Sequence, residues 1–228
     1  MTVLRLLSYN VRSLRDDPAA VARVIRDAAP QVAIIQEAPR LLHWRSSCAS
    51  LARRAGLVWV TGGRATGANL ILSTLAVDTV QRHEIAFSKQ PKLHQRGAAV
   101  AVLRLSGVEF AVAGTHLDLT EAARLTHLDE LAAFTTDRLA GLPLIVGGDI
   151  NAVPGSATWQ RLQNFGVDGF EAVGSGDGFS YSAVQPVRRI DAVFADPRLR
   201  PIRAEVIESA DVRIGSDHRP VVVDYQLD

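Results

Sequence analysis

The chain has 228 residues, 25 Lys and Arg against 24 Asp and Glu, and 47% hydrophobic residues. This length and balance suit a globular chain with a sizeable core and exclude wholesale disorder. A net charge of +1 excludes a binder of nucleic acid that works by uniform basic charge, though not one with a local basic groove.

The expectation is a single domain over residues 1–228. Its only cysteine, Cys48, rules out an internal disulfide and any cysteine-based zinc spacing. The opening MTVLRLLSYN lacks the apolar stretch and small-residue cleavage site of a secretory leader. No apolar run reaches the roughly 20 residues of a membrane helix. A soluble, cytoplasmic monomer with no transmembrane segment and no protein partner is the expectation.

In chain order, VLRLLSY (3–9) reads as a strand. DDPAAVARVIRDAAP (16–30) reads as a helix, with Asp16 or Asp17 as cap and Pro18 in its first turn. QVAIIQE (31–37) is a second buried strand, which completes a strand–helix–strand unit. A helix over 45–56 precedes four strands, at 57–62, 69–74, 99–105 and 108–117, which follow one another as hairpins do. The stretch 119–141 is a helix with Leu125, Leu128 and Leu131 or Ala132 inward and Gly141 as its stop. A strand at 142–148, a short helix at 156–166 capped by Ser156, and strands at 190–195 and 220–227 complete the pattern. The glycine-rich stretch 171–189 reads as a surface loop able to line a site. Strands alternating with helices in places, and running together elsewhere, predict two packed mixed sheets with outer helices.

Short polar groups gather where these strands end. Asn10 ends the first and Glu37 the second; His116 and Asp118 end the strand FAVAGTHLD; Asp149 and Asn151 follow LPLIVGG. Asp191 begins IDAVFA, and Asp217 and His218 stand just before RPVVVDYQL. Each alone has a plain structural reading: Asn10 as a turn residue, His116 as a core histidine, Asp149 as the start of a turn, Asp217 with His218 as a cap. Together they are a coherent set, because convergent strand ends are where α/β folds place ligands. Carboxylate and amide oxygens are hard ligands suited to Mg²⁺ or Mn²⁺. The remaining acids and imidazoles can orient water and move protons. Asp149 and Asn151 lie two apart, so an extended backbone points both the same way. The glycines before them permit a sharp bend or a close approach to a ligand. The arrangement suits phosphoryl transfer, with a water-activating carboxylate and a helper amide held against one phosphorus.

These residues in this order resemble the endonuclease/exonuclease/phosphatase superfamily, metal-dependent phosphoesterases of the deoxyribonuclease I type. LLSYNVRSL resembles its first motif, PQVAIIQEA its glutamate motif, and GANLILST and QRGAAVAVL its middle strands. GTHLDL resembles its first histidine motif, IVGGDINAVPGS its aspartate–asparagine motif, and RRIDAVFAD and SDHRPVVVDYQL its two C-terminal motifs. The resemblance implies a four-layer α/β sandwich. It also implies Glu37 as principal metal ligand with Asn10 beside it, Asp149 as activator of water, and Asn151 as an aid to phosphate binding. It further implies His218 on the phosphate or in proton transfer, Asp191 as the carboxylate that fixes His218, and His116 across the scissile phosphate. Asp217 would bind a second metal or shape the site.

Arg12 stands where abasic-site endonucleases carry an aspartate, which argues against that specialised activity. An acidic partner for His116 is not apparent. Arg64, Arg96, Arg124, Arg188 and Arg189 are read as exposed, with phosphate contact as the alternative, and His43, His83, His94 and His127 as structural or surface residues. The implied activity is hydrolysis of a phosphodiester, nucleic acid first, with Mg²⁺ or Mn²⁺. The alternatives are a phosphatase or lipid phosphodiesterase and, from another class, a non-catalytic binding module.

Overall fold

A computed structural model that describes residues 2–89, 91 and 94–227 has two six-stranded mixed sheets packed face to face, flanked by helices. The chain begins β1 (Thr2–Asn10), α1 (Pro18–Ala28), β2 (Val32–Gln36), α2 (Trp44–Arg54), β3 (Val58–Gly63) and β4 (Asn69–Ser73). It continues β5 (Val77–Ala86), β6 (Gly97–Leu105), β7 (Val108–His116), α3 (Glu121–Arg138), β8 (Leu144–Asp149) and α4 (Ala157–Leu162). It ends β9 (Val167–Asp168), α5 (Gly169–Val173), β10 (Asp191–Ala195), β11 (Arg200–Val206), α6 (Ala210–Gly215) and β12 (Val221–Leu227). One sheet runs β11-β12-β1-β2-β4-β3, the other β5-β6-β7-β8-β10-β9. Among the described residues, no helix is long and apolar enough to cross a membrane.

The central strands read as continuous apolar runs because both of their faces are covered. Alternate residues of β1 and β2 take opposite sides, as the pleat requires. Leu4, Leu6, Val32 and Ile34 enter the layer between the sheets, whereas Leu7, Tyr9, Ala33 and Ile35 meet the outer helices. On the other sheet, Val112 and Ile145 face inward, while Ala113 and Val146 pack beneath Leu128, Leu131 and Trp159.

Asp17 caps α1 by accepting from the backbone N–H groups of Ala19 and Ala20 at 2.8 and 2.9 Å. Ser156 caps α4 by accepting from Trp159 N at 3.3 Å.

Five elements lie outside the sequence-based expectation: β5, β9, β11, α5 and α6. The three strands are outer edges, β5 and β9 of one sheet and β11 of the other. Edge strands keep polar and charged side chains, which hides the apolar signal. TVQRHE within β5 and RPIRAE within β11 are of that kind, and β11 slips register between Pro201 and Arg203. Helix α3 also differs in detail. Leu128 and Leu131 are buried as expected, but Arg124 and His127 are buried beside them while Leu125 is only half-buried. Arg124 stays charged inside by donating to Thr158 Oγ1 at 3.0 Å and to the carbonyls of Asp118 and Leu119 at 3.2 and 2.7 Å. His127 stacks on Phe87, with ring centroids 4.9 Å apart.

Candidate active site

The two sheets approach closely at one end, and small residues permit it. A Cβ on Gly114 of β7 would lie 2.5 Å from Ile34 Cγ2, a side chain from the opposite sheet. Gly148 has φ +149°, and a Cβ there would meet the Thr115 carbonyl oxygen at 1.8 Å. Gly114 thus lets Ile34 of the opposite sheet approach, and Gly148 lets β8 lie tightly against β7 within its own sheet.

Register then aligns the polar residues. His116 of β7 pairs with Asp149 of the parallel β8, and Asp149 pairs with Asp191 of the antiparallel β10. These three stand side by side on adjacent strands. From the other sheet, Asn10 reaches across. Its Oδ1 accepts from Arg12 N at 3.0 Å, which turns its Nδ2 toward the carboxylates. That nitrogen donates to Asp149 Oδ2 at 3.0 Å and to Glu37 Oε1 at 3.3 Å. Asn10 therefore presents its amide nitrogen to both acids and bridges them.

Asp149 is 2% exposed and engaged on every side. Its Oδ1 accepts from Asn151 N at 3.1 Å, and its Oδ2 lies 3.3 Å from His116 Nε2 and 3.6 Å from His218 Nε2. Asn151 and Glu37 hold left-handed backbone, with φ of 52° and 50°. Asparagine tolerates that region; for a glutamate it is strain, of the kind that collects at functional sites.

The two histidines on Asp149 differ in charge. His218 Nδ1 bonds Asp191 Oδ2 at 2.8 Å. Burial works against protonation, but Asp191, then Asp149 and Asp217, overcome it and raise His218 to about 10. At neutral pH it is an imidazolium. His116 is lowered to about 4, chiefly by burial; Asp149 opposes this, while Arg96 and His218 reinforce it. Its tautomer follows from Asn151. That amide nitrogen donates to the Leu117 carbonyl at 3.0 Å, which fixes its orientation, and its second hydrogen points at His116 Nε2, also 3.0 Å away. Nε2 accepts, and Nδ1 carries the proton with no partner among the described residues. The missing acidic partner of His116 is thus absent at Nδ1, and its carboxylate neighbour is Asp149 on the other nitrogen.

Asp217 stands apart from these contacts. It is half-buried, and its Oδ2 lies 3.5 Å from Arg12 Nε. Arg12, itself paired with Asp16, closes that side of the site. Glu37 and His116 line a cavity of about 170 Å³ whose walls also carry Arg15, Arg40, His94 and Arg96.

Asp149, Asp191 and His218 bring ligand-type atoms within 4.8 Å of one another. Within this trio His218 Nδ1 is bonded to Asp191 Oδ2 at 2.8 Å. Glu37, on the wall of the cavity and tied through Asn10 to Asp149, offers a further carboxylate to a hard divalent ion. Asp191 Oδ1, Asp118 Oδ2, His116 Nδ1 and Arg96 Nε are buried without partners among the described residues. Such concentrations of unpaired polar atoms mark sites that receive polar ligands.

Several contributors escaped the sequence reading. Tyr181 lies over His218, ring centroids 4.9 Å apart, and Arg188 lies over Tyr181 at 4.8 Å. Ser180 Oγ accepts from the backbone N–H groups of Ile190 and Asp191 at 3.2 and 3.1 Å. Ser216 Oγ donates to the Asn10 carbonyl at 2.7 Å and ties the C-terminal segment to β1. The glycine-rich stretch gave a general signal for the first two; a lone serine before Asp217 gives none. Of the arginines read as exposed, Arg124 and Arg189 are buried, the latter paired with Asp168 and covered by Trp159 and Phe170. Arg96 is half-buried in the cavity wall.

No curated protein matches the chain. Among solved structures, an endonuclease/exonuclease/phosphatase from Bacteroides vulgatus superposes with a TM-score of 0.84 at 18% identity, covering 100% of both chains. A mannosyl-6-phosphatase from Bacteroides thetaiotaomicron gives 0.80 at 19% identity over 98% of this chain and 100% of its own. The catalytic domain of human Nocturnin, with bound sulfate, gives 0.73 at 17% over 99% and 95%. At these identities the superpositions speak for the fold alone. The sequence model of the endonuclease/exonuclease/phosphatase family matches residues 7–218, a span that contains every polar group described above, and the chain belongs to that family of phosphoester-hydrolysing enzymes.

Proposed function

We propose that the chain hydrolyses a phosphoester by in-line attack of a water that Asp149 orients and deprotonates, assisted by a divalent metal. One observation carries this reading: Asp149 lies within 3.6 Å of Asn10, His116 and His218, groups from three distant segments that meet beside one cavity. Asn10 holds Asp149 and Glu37 at a fixed separation. His218, kept charged by Asp191, offers its Nε2–H, 3.6 Å from Asp149 Oδ2, to the phosphate oxygens. His116 stays neutral and holds Asn151, whose Asx-type bond in turn holds Asp149. Arg96 and Arg40 set positive charge in the cavity wall. Asp217, engaged with Arg12, adds to the field that keeps His218 protonated. Mg²⁺ or Mn²⁺ held by Glu37 would supply Lewis-acid stabilisation of the developing negative charge.

A compact phosphoester is the first reading, favoured by the small cavity of about 170 Å³ at Glu37 and His116 and by the sugar-phosphate substrate named for the Bacteroides thetaiotaomicron structure. A nucleic-acid diester is the second reading, favoured by a neighbouring groove of about 1080 Å³ lined by Trp44, Trp59, Arg45, Arg64 and Arg82. Aromatic faces and cations of that kind suit a single strand.

The test is a panel of plasmid DNA, single-stranded DNA, RNA, sugar and inositol phosphates, and phospholipid. Each is assayed with Mg²⁺, with Mn²⁺ and with chelator, beside Asp149→Asn. Metal-dependent turnover of at least one member, lost in the variant, is expected. Turnover of none, or full activity in the variant, overturns the proposal.

A further inference from the structure

Charge on this chain is unevenly distributed. Residues 38–77 contain five arginines, at 40, 45, 53, 54 and 64, and no aspartate or glutamate, in a chain whose whole balance is +1. All five are exposed. Among the described residues none of them makes an ion pair, whereas Arg5, Arg23 and Arg104 each face a carboxylate. Within this basic segment, Leu41 and Leu42 are 81% and 87% exposed. They precede α2 on the loop that follows Glu37, and Arg40, one residue before them, lines the catalytic cavity. Arg40, Arg45 and Arg64 share with both leucines a shallow depression next to that cavity.

An isolated exposed leucine is ordinary. An adjacent pair at the tip of a loop, enclosed by unpaired arginines and beside an active site, is not. Leu119, after His116, and Val184 and Val187, between Tyr181 and Arg188, are exposed as well.

We propose that the 40–45 loop docks the catalytic face on an anionic lipid bilayer. Leu41 and Leu42 enter the boundary between head groups and acyl chains, and Arg40, Arg45 and Arg64 meet lipid phosphates. Complementary charge selects this occupant. Arginines near an anionic surface and a small inserted apolar group are each weak, and peripheral attachment takes both signals together. A nucleic acid would engage the arginines but leave the leucines in water. The docking requires no turnover, so it stands or falls separately from the catalytic reading.

The experiment is co-sedimentation of the full chain with phosphatidylcholine vesicles, with and without phosphatidylglycerol, at low and high salt. It is run beside Leu41→Ser/Leu42→Ser and Arg45→Gln/Arg64→Gln, with single-stranded DNA as competitor. Circular dichroism confirms that each variant is folded. The wild type is expected to sediment with anionic vesicles and not with neutral ones. The leucine variant is expected to bind roughly tenfold or more weakly, two inserted side chains being a large share of a marginal anchor. The arginine variant is expected to weaken as well. No sedimentation of the wild type at low salt overturns the proposal. So does a leucine variant that binds like the wild type; with displacement by DNA, that result assigns the basic face to nucleic acid.

Discussion

His116 and His218 are both buried, both present Nε2 to the same oxygen of Asp149, and stand 3.3 and 3.6 Å from it. One is neutral and the other charged. The difference lies behind each ring, at Nδ1. His218 has Asp191 there, a carboxylate with no exposure, while His116 has no partner among the described residues and Arg96 nearby. Two imidazoles beside one carboxylate thus differ in charge, and in the proposed reaction one would meet phosphate oxygens as a cation while the other positions an amide as a neutral acceptor. The residue named as catalytic in such a site acquires its chemistry from the group one bond further out.

The largest break in this comparison is removal of the carboxylate both rings share. Asp149→Asn should lower kcat by roughly 10²–10⁴, the range of lost general-base catalysis, with little change in the thermal midpoint. Activity near that of the wild type would show that Asp149 is not the base. Next is Asp191→Asn, which strips His218 of its partner and makes the two rings alike. A loss of roughly 10²–10³ in kcat is expected, as for removal of one charge-stabilising donor. The alkaline limb of the pH–rate profile should also move to lower pH. An unmoved limb would mean that Asp191 does not hold the charge on His218.

A third expectation concerns stability against pH, where the rings act in opposite windows. His218 is raised to about 10, so its contribution is full below the unfolded value of 6.5 and is lost as pH rises toward 10. His116 is lowered to about 4, so its contribution is present above 6.5 and is lost as pH falls toward 4. Thermal midpoints measured across pH should therefore peak between these limbs, with Asp191→Asn flattening the alkaline one and His116→Gln the acid one.

His116→Gln is expected to cost less than about tenfold in kcat, because glutamine can still accept from Asn151 and no proton transfer is removed. The smallest effect is expected from Arg12→Ala. It frees Asp217 at an exposed ion pair of little worth to stability, and initial rates should change by less than for any variant above. A large loss there would place Arg12 on the substrate.

Much of this site was legible in the sequence because its members end apolar strands. Asn10, Glu37, His116, Asp149, Asp191 and His218 each interrupt or border a buried run, and a run is readable without knowing its neighbours. The edge strands β5 and β11 were not legible, since half of their surface faces water and carries charge. Arg124 was missed for the converse reason. Burial of a charged residue depends on a partner such as Thr158, which arrives from elsewhere in the chain.

The amino-acid order by itself determined the strand pattern, the family and the set of acids, amides and imidazoles, because period-two burial and residue chemistry are local properties. Only the tertiary structure decided which nitrogen of His116 is free, that Asn10 bridges two carboxylates, and that His218 carries charge. Hydrogen-bond direction and ionisation are set by groups within a few ångströms in space, and here those groups lie up to 139 residues apart along the chain.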